Sequence, residues 1–228
     1  TPCGTLFPYT TLFRSVLGLP LLAVSFWLTL RSSLRGHLLM TGTLGFILYT
    51  YITMCFGAAY NDFFLVYVAI FSTSFFAFIL SMMSFNLDTL KQKFSERVPR
   101  TAIAVLLFFT AAFLSLAWLG RIAPSVLDDQ MPVLENTSSM FIQAMDLGII
   151  VPFSVLAGVL LLRRSPWGYL LASIGLMKFI TLGTAVSLMA LNMARVGVPV
   201  SVVEIVVFPA LALINLVMVI LLIRGIQD

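Results

Sequence analysis

Residues 139–191 read SMFIQAMDLGIIVPFSVLAGVLLLRRSPWGYLLASIGLMKFITLGTAVSLMAL, and this stretch decides the fold. Two apolar runs, 139–162 and 166–191, each exceed the roughly 20 residues that carry a helix across a bilayer. Only Arg163, Arg164 and Ser165 stand between them. The apolarity is continuous rather than alternating, which favours helices over barrel strands. Ser165 offers a capping hydroxyl and Pro166 a φ preset for the first turn, so the two runs are expected to form a tight helical hairpin.

The same reading extends outward to runs at about 16–30, 38–60, 63–85, 101–120 and 199–223. The expected fold is therefore all-α, a polytopic transmembrane bundle of seven helices with no soluble domain. Composition agrees: 61% of residues are hydrophobic and 10% charged, where soluble domains carry about 25% charged. Mean hydropathy is +1.09. The first run covers about 22 Å at 1.5 Å per residue, short of a hydrocarbon core of about 30 Å. Just before it, residues 6–15 read LFPYTTLFRS and look like an in-frame translation of a sequencing-library adapter. Residues 1–15 are accordingly set apart as an artefact and the membrane domain is assigned to 16–228, with the natural start and any earlier helix expected to be missing. No internal repeat and no GxxxG pair stands out.

Net charge is +4 and the isoelectric point near 9.3. The basic residues sit at run edges, so no nucleic-acid partner is expected. Arg31, Arg35, Lys91, Lys93, Arg97, Arg100, Arg163, Arg164 and Arg224 fall on one set of connections, against Arg121 and Arg195 on the other. By the positive-inside rule the first set is expected in the cytoplasm, which puts the N-terminus outside and the C-terminus inside a cell (inner) membrane. The one histidine, His37, and Cys55 within an apolar run leave nothing from which to assemble a metal site or a serine-hydrolase triad. No metal and no cofactor is expected.

Three ionisable residues lie well inside the predicted helices: Asp146, Lys178 and Glu204. A charge at mid-helix costs about 2.5–3.5 kcal/mol on insertion scales, so such residues face protein or water and find partners. Helix rise places Asp146 about 12 Å and Glu204 about 8 Å below the outer edge, with Lys178 about 18 Å above the inner one. All three are expected to meet in the outer half of the bilayer, and Asp146 with Lys178 is the preferred ion pair. Gln143, Ser201, Thr181 and Thr184 follow or precede these residues at helical steps of three, on the same faces. Pro152 and Pro209 are expected to kink their helices and to free the carbonyls of Gly148 and Ile205 beside the two acids. Carboxylates with freed carbonyls are the hard oxygen ligands a cation or hydronium site uses.

The segments DLGIIVP, LLRRSPWGYLL and KFITLG, between Asp146 and Gly183, resemble stretches of uncharacterised prokaryotic multipass membrane proteins. The resemblance implies a prokaryotic membrane and transfers no catalytic residue. The leading expectation is transport or ligand binding through a polar intramembrane cavity, with a small cation, a proton or a polar ligand as cargo. One alternative is a non-catalytic membrane subunit or sensor with a structural ion pair. The other is a membrane-embedded lipid-modifying enzyme using Asp146 and Glu204 as its acid–base pair; an enzyme is the less favoured class.

Overall fold

The computed structural model describes residues 6–127, 134, 139–195, 197, 200 and 202–227, with side chains from Gly18 onward except those of Val203 and Glu204. The described chain is a bundle of helices: α1 (Leu6–Leu30), α2 (Leu34–Phe56), α3 (Phe64–Met83), the short α4 (Leu87–Leu90), α5 (Arg100–Leu127), α6 (Phe141–Met145), α7 (Val151–Leu162), α8 (Pro166–Arg195) and α9 (Phe208–Arg224). A π-helical turn, Asp146–Ile150, joins α6 to α7, making one span of Phe141–Leu162. A second π-turn, Val203–Val207, leads into α9. No named strand occurs among the described residues.

Six of these helices are long and apolar enough to cross a membrane, rather than the expected seven. The described apolar part of the first is only Gly18–Leu30, too short to span. Its backbone is nevertheless helical from Leu6, so no break separates the adapter-like residues from the apolar run.

The hairpin expected at Ser165 is present, and it occurs twice. Arg31, Ser33, Gly36, Leu38 and Leu39 recur as Arg163, Ser165, Gly168, Leu170 and Leu171 at one constant offset, and Pro20 recurs as Pro152 at that same offset. The two turns are built alike. Ser32 and Arg164 occupy matching positions with φ of 56° and 55°. The amides of Ser33 and Ser165 reach back to the carbonyls of Leu28 and Leu160, closing the preceding helix. A methyl group on Gly36 would press on the backbone of Leu28 and Thr29, and one on Gly168 on that of Leu160 and Leu161. Only glycine permits so close a return of the second helix along the first.

Each hairpin carries a third helix on its second arm: α3 packs on α2, and α9 on α8. The chain is thus two three-helix units in the same orientation, joined by α5, whose single crossing restores the direction. Five or six matching residues scattered through apolar sequence are too few to show as a repeat without the matching turns.

The two units meet along α2 and α8. A methyl group on Gly42 would lie 2.7 Å from Met177 Cβ and 3.7 Å from Ile174 Cα, and one on Gly45 would lie 3.5 Å from Ile174 Cγ2. Ile174 and Met177 are the positions that match Gly42 and Gly45. The contact is therefore reciprocal, as across a local two-fold axis running along the bundle.

At the basic end, three segments are tied together. Arg35 Nη2 donates to the Ile226 carbonyl at 2.8 Å, the Ser95 amide to Gly225 at 2.7 Å and the Gln227 amide to Lys93 at 2.7 Å. Phe94, Val98 and Ile226 are buried there, so the connection between α3 and α5 folds onto the bundle instead of forming a domain of its own.

Candidate functional site

Asp146 and Lys178 are brought together. Both are buried, at 3% and 6% exposure, and Lys178 Nζ lies 3.9 Å from Asp146 Oδ1. Their depths already placed them on one level, and the tight turn between α7 and α8 holds the two helices side by side.

The rest of the site comes from helices that the sequence did not connect to it. Tyr49 on α2 donates its hydroxyl to Asp146 Oδ1 at 2.6 Å, and Trp118 on α5 donates Nε1 to Oδ2 at 3.0 Å. The Lys178 ammonium stands 3.8 Å from the centre of the Tyr49 ring, in cation–π range. One carboxylate therefore joins four helices, one from the first unit, one from the connecting helix and two from the second. Helix rise held a hint of this, since Tyr49 stands about 22 Å along α2 and Lys178 about 18 Å along α8, both starting from the basic end. Nothing in the sequence said that α2 and α8 touch.

Asp146 opens the π-turn. Pro152 has no amide proton to give to the Gly148 carbonyl, the helix widens, and the Val151 amide reaches past it to the Asp146 carbonyl. Pro209 stands at the matching point after the second π-turn, which contains Glu204. The prolines thus mark π-turns that carry the two acids. Gly148 is exposed while Asp146 is buried, and the Glu204 side chain beside Ile205 lies outside the described residues. Among the described residues, the hydrogen bonds that reach the Asp146 carboxylate both come from donors, Tyr49 and Trp118.

The other predicted residues divide. Gln143 is half-buried one turn before Asp146 and is not a partner of its carboxylate. Thr181 is buried, but its hydroxyl is spent on the carbonyls of Met177 (3.1 Å) and Lys178 (2.8 Å). Thr184 likewise turns back onto Ile180 at 2.8 Å. These hydroxyls bond to carbonyls of α8 itself. Ser201 and the Glu204 side chain lie outside the described residues, so the meeting shown is of two ionisable residues and not three.

No protein-family model, curated protein or solved structure matches the chain. What it is rests on the helices themselves, a bundle with six apolar helices of membrane-spanning length.

Proposed function

We propose that this chain moves protons across a membrane, alone or with a polar solute, using the Asp146–Lys178 pair as its binding site. The observation that carries the reading is the position of the pair. It lies where two like-oriented three-helix units meet, and Tyr49 from one unit touches both charged residues of the other. Transporters built from repeats place their sites at this kind of interface, near mid-membrane.

The chemistry selects the cargo. Of the three considered, a bare cation is the poorest fit to a carboxylate already surrounded by donors. A proton is compatible with it, because a neutral carboxyl group retains lone pairs for Tyr49 and Trp118. The ammonium at 3.9 Å is beyond hydrogen-bond range of Oδ1, and the hydrogen bonds to the carboxylate come from Tyr49 and Trp118.

The test is proton flux into proteoliposomes loaded with a pH-sensitive dye, driven by a potassium diffusion potential. Wild type should exceed empty liposomes, Asp146→Asn should fall to the background, and Tyr49→Phe should be slowed. A folded wild-type protein with no flux above empty liposomes refutes the proposal and leaves the second reading. That reading, a non-catalytic membrane subunit or sensor clamped by a structural ion pair, is favoured by the fact that both carboxylate oxygens already hold a hydrogen bond.

A further inference from the structure

A second polar site lies at the basic end of the first unit. A cavity of about 260 Å³ opens between the α1–α2 turn and the start of α4. Ser32, Ser33, His37, Asn86, Thr89 and Lys93 are among its lining residues, and among the described residues no Asp or Glu lines it. His37 forms its wall, stacked on Phe85 with ring centres 3.9 Å apart and its Nε2 within 3.1 Å of Ser81 Oγ and 3.0 Å of Ser84 Oγ.

Several groups in this wall keep a proton to donate. Ser33 Oγ accepts from the Gly36 amide and keeps its own proton to give. The first-turn amide of Leu34 has no carbonyl within α2 to meet. Asn86 uses its oxygen on the Asp88 and Thr89 amides, which leaves its NH₂. Lys93 adds a full positive charge.

The matching place in the second unit supplies independent evidence for the sign of the guest. Tyr169 matches His37 and is likewise stacked, on Phe94 at 4.5 Å. Arg164 matches Ser32 and lies 3.6 Å from a carboxylate oxygen of Glu96, whose other oxygen accepts from Arg100 at 2.9 Å. Arg100 also donates to the Tyr169 hydroxyl at 3.1 Å. The chain thus sets one of its own anions at this level of the second unit, whereas the first unit has an open cavity lined by donors. The edge is also marked by Trp27, half exposed with the Arg31 guanidinium 3.8 Å over its ring, as at a headgroup boundary.

We propose that the cavity beside Ser33 and Lys93 binds a phosphate group, presented by a phospholipid headgroup or by a soluble phosphate ester. Donors from three chain segments lining one cavity suit a tetrahedral oxyanion better than a planar carboxylate. The volume leaves room for the ester substituent.

Melting of the purified full chain in detergent tests this, with three probes: inorganic phosphate, a short-chain phosphatidylglycerol, and a phosphate-free glycolipid. Phosphatidylglycerol, phosphate or both should raise the melting temperature, and the glycolipid should not. Lys93→Gln should weaken the effective affinity about tenfold, the worth of one charge-assisted hydrogen bond. Lys91→Gln, equally exposed on the same segment but outside the lining, should leave it unchanged. A response to the lipid alone assigns the phosphate to a headgroup, and one to inorganic phosphate assigns it to a soluble ester. No response to either phosphate-bearing probe, or equal weakening in both lysine variants, overturns the proposal.

Discussion

At corresponding points of the two hairpins the chain places Phe46 in one unit and Lys178 in the other, and His37 in one and Tyr169 in the other. The turns, the closing hydrogen bonds and the glycine approaches are shared, so these are changes made on one scaffold. Phe46 is buried as an ordinary apolar core residue. Lys178, at the matching depth, is buried against a carboxylate. Packing of α8 against its neighbours does not require a charge there, since α2 manages without one. The comparison therefore separates what holds the bundle together, which is common to both units, from what makes the second unit chemically distinct.

The strongest way to break that comparison is to remove the charge from one unit. Asp146→Asn and Lys178→Met should each destabilise by about 3–5 kcal/mol, because each removes half of a buried pair. The double variant should recover much of the loss. A thermal-melting double-mutant cycle measures the coupling. Phe46→Leu, the matching site in the first unit, should cost only about 1 kcal/mol. Additive single effects at Asp146 and Lys178 would mean that the pair is not coupled and that the asymmetry between the units has another origin.

The shared part can be tested through its glycines. Gly36→Ala and Gly168→Ala each drive a methyl group into backbone, which cannot rotate away as a side chain could. Each should lose about 2–3 kcal/mol, by overpacking. Near-equal losses on melting support two equivalent hairpins. A harmless alanine at one of the two would show that the turns only look alike.

What the sequence made legible follows the same division. The spans and the Ser165 turn were readable because hydropathy and capping are local properties. The Asp146–Lys178 pair was readable because a short turn converts depth along each helix into proximity. Tyr49 and Trp118 were not, since their contacts with Asp146 depend on which helices are neighbours. Hydropathy is silent on that: the membrane-length window of α3 is 11% buried in the bundle and that of α8 50%, yet both read as apolar runs. In lipid both the exposed and the packed faces of a helix are apolar, so apolarity no longer marks the core. The repeat escaped for a related reason. Its signature is a handful of turn residues, Arg31, Ser33 and Gly36 against Arg163, Ser165 and Gly168, separated by apolar positions that vary freely.

The smallest expected effect sharpens the comparison at the basic end. Glu96 lies outside the spans, and its carboxyl is held below its ordinary value, first by the hydrogen bond from Arg100 and then by the charges of Arg100, Arg164 and Lys91. A carboxylate with a depressed folded-state pKa adds stability above its unfolded value, about 4.3, and loses that contribution as pH falls through the lower folded value. Wild type should therefore lose melting temperature relative to Glu96→Gln only on acidification below about pH 4. Above about pH 5 the difference should be constant, and added salt should shrink it because the group is exposed. If Glu96 fills in the second unit the place that a phosphate takes in the first, Glu96→Gln should also let inorganic phosphate stabilise the protein through Arg100 and Arg164. A phosphate response unchanged from wild type would mean that the two ends are alike in fold and unlike in what they bind.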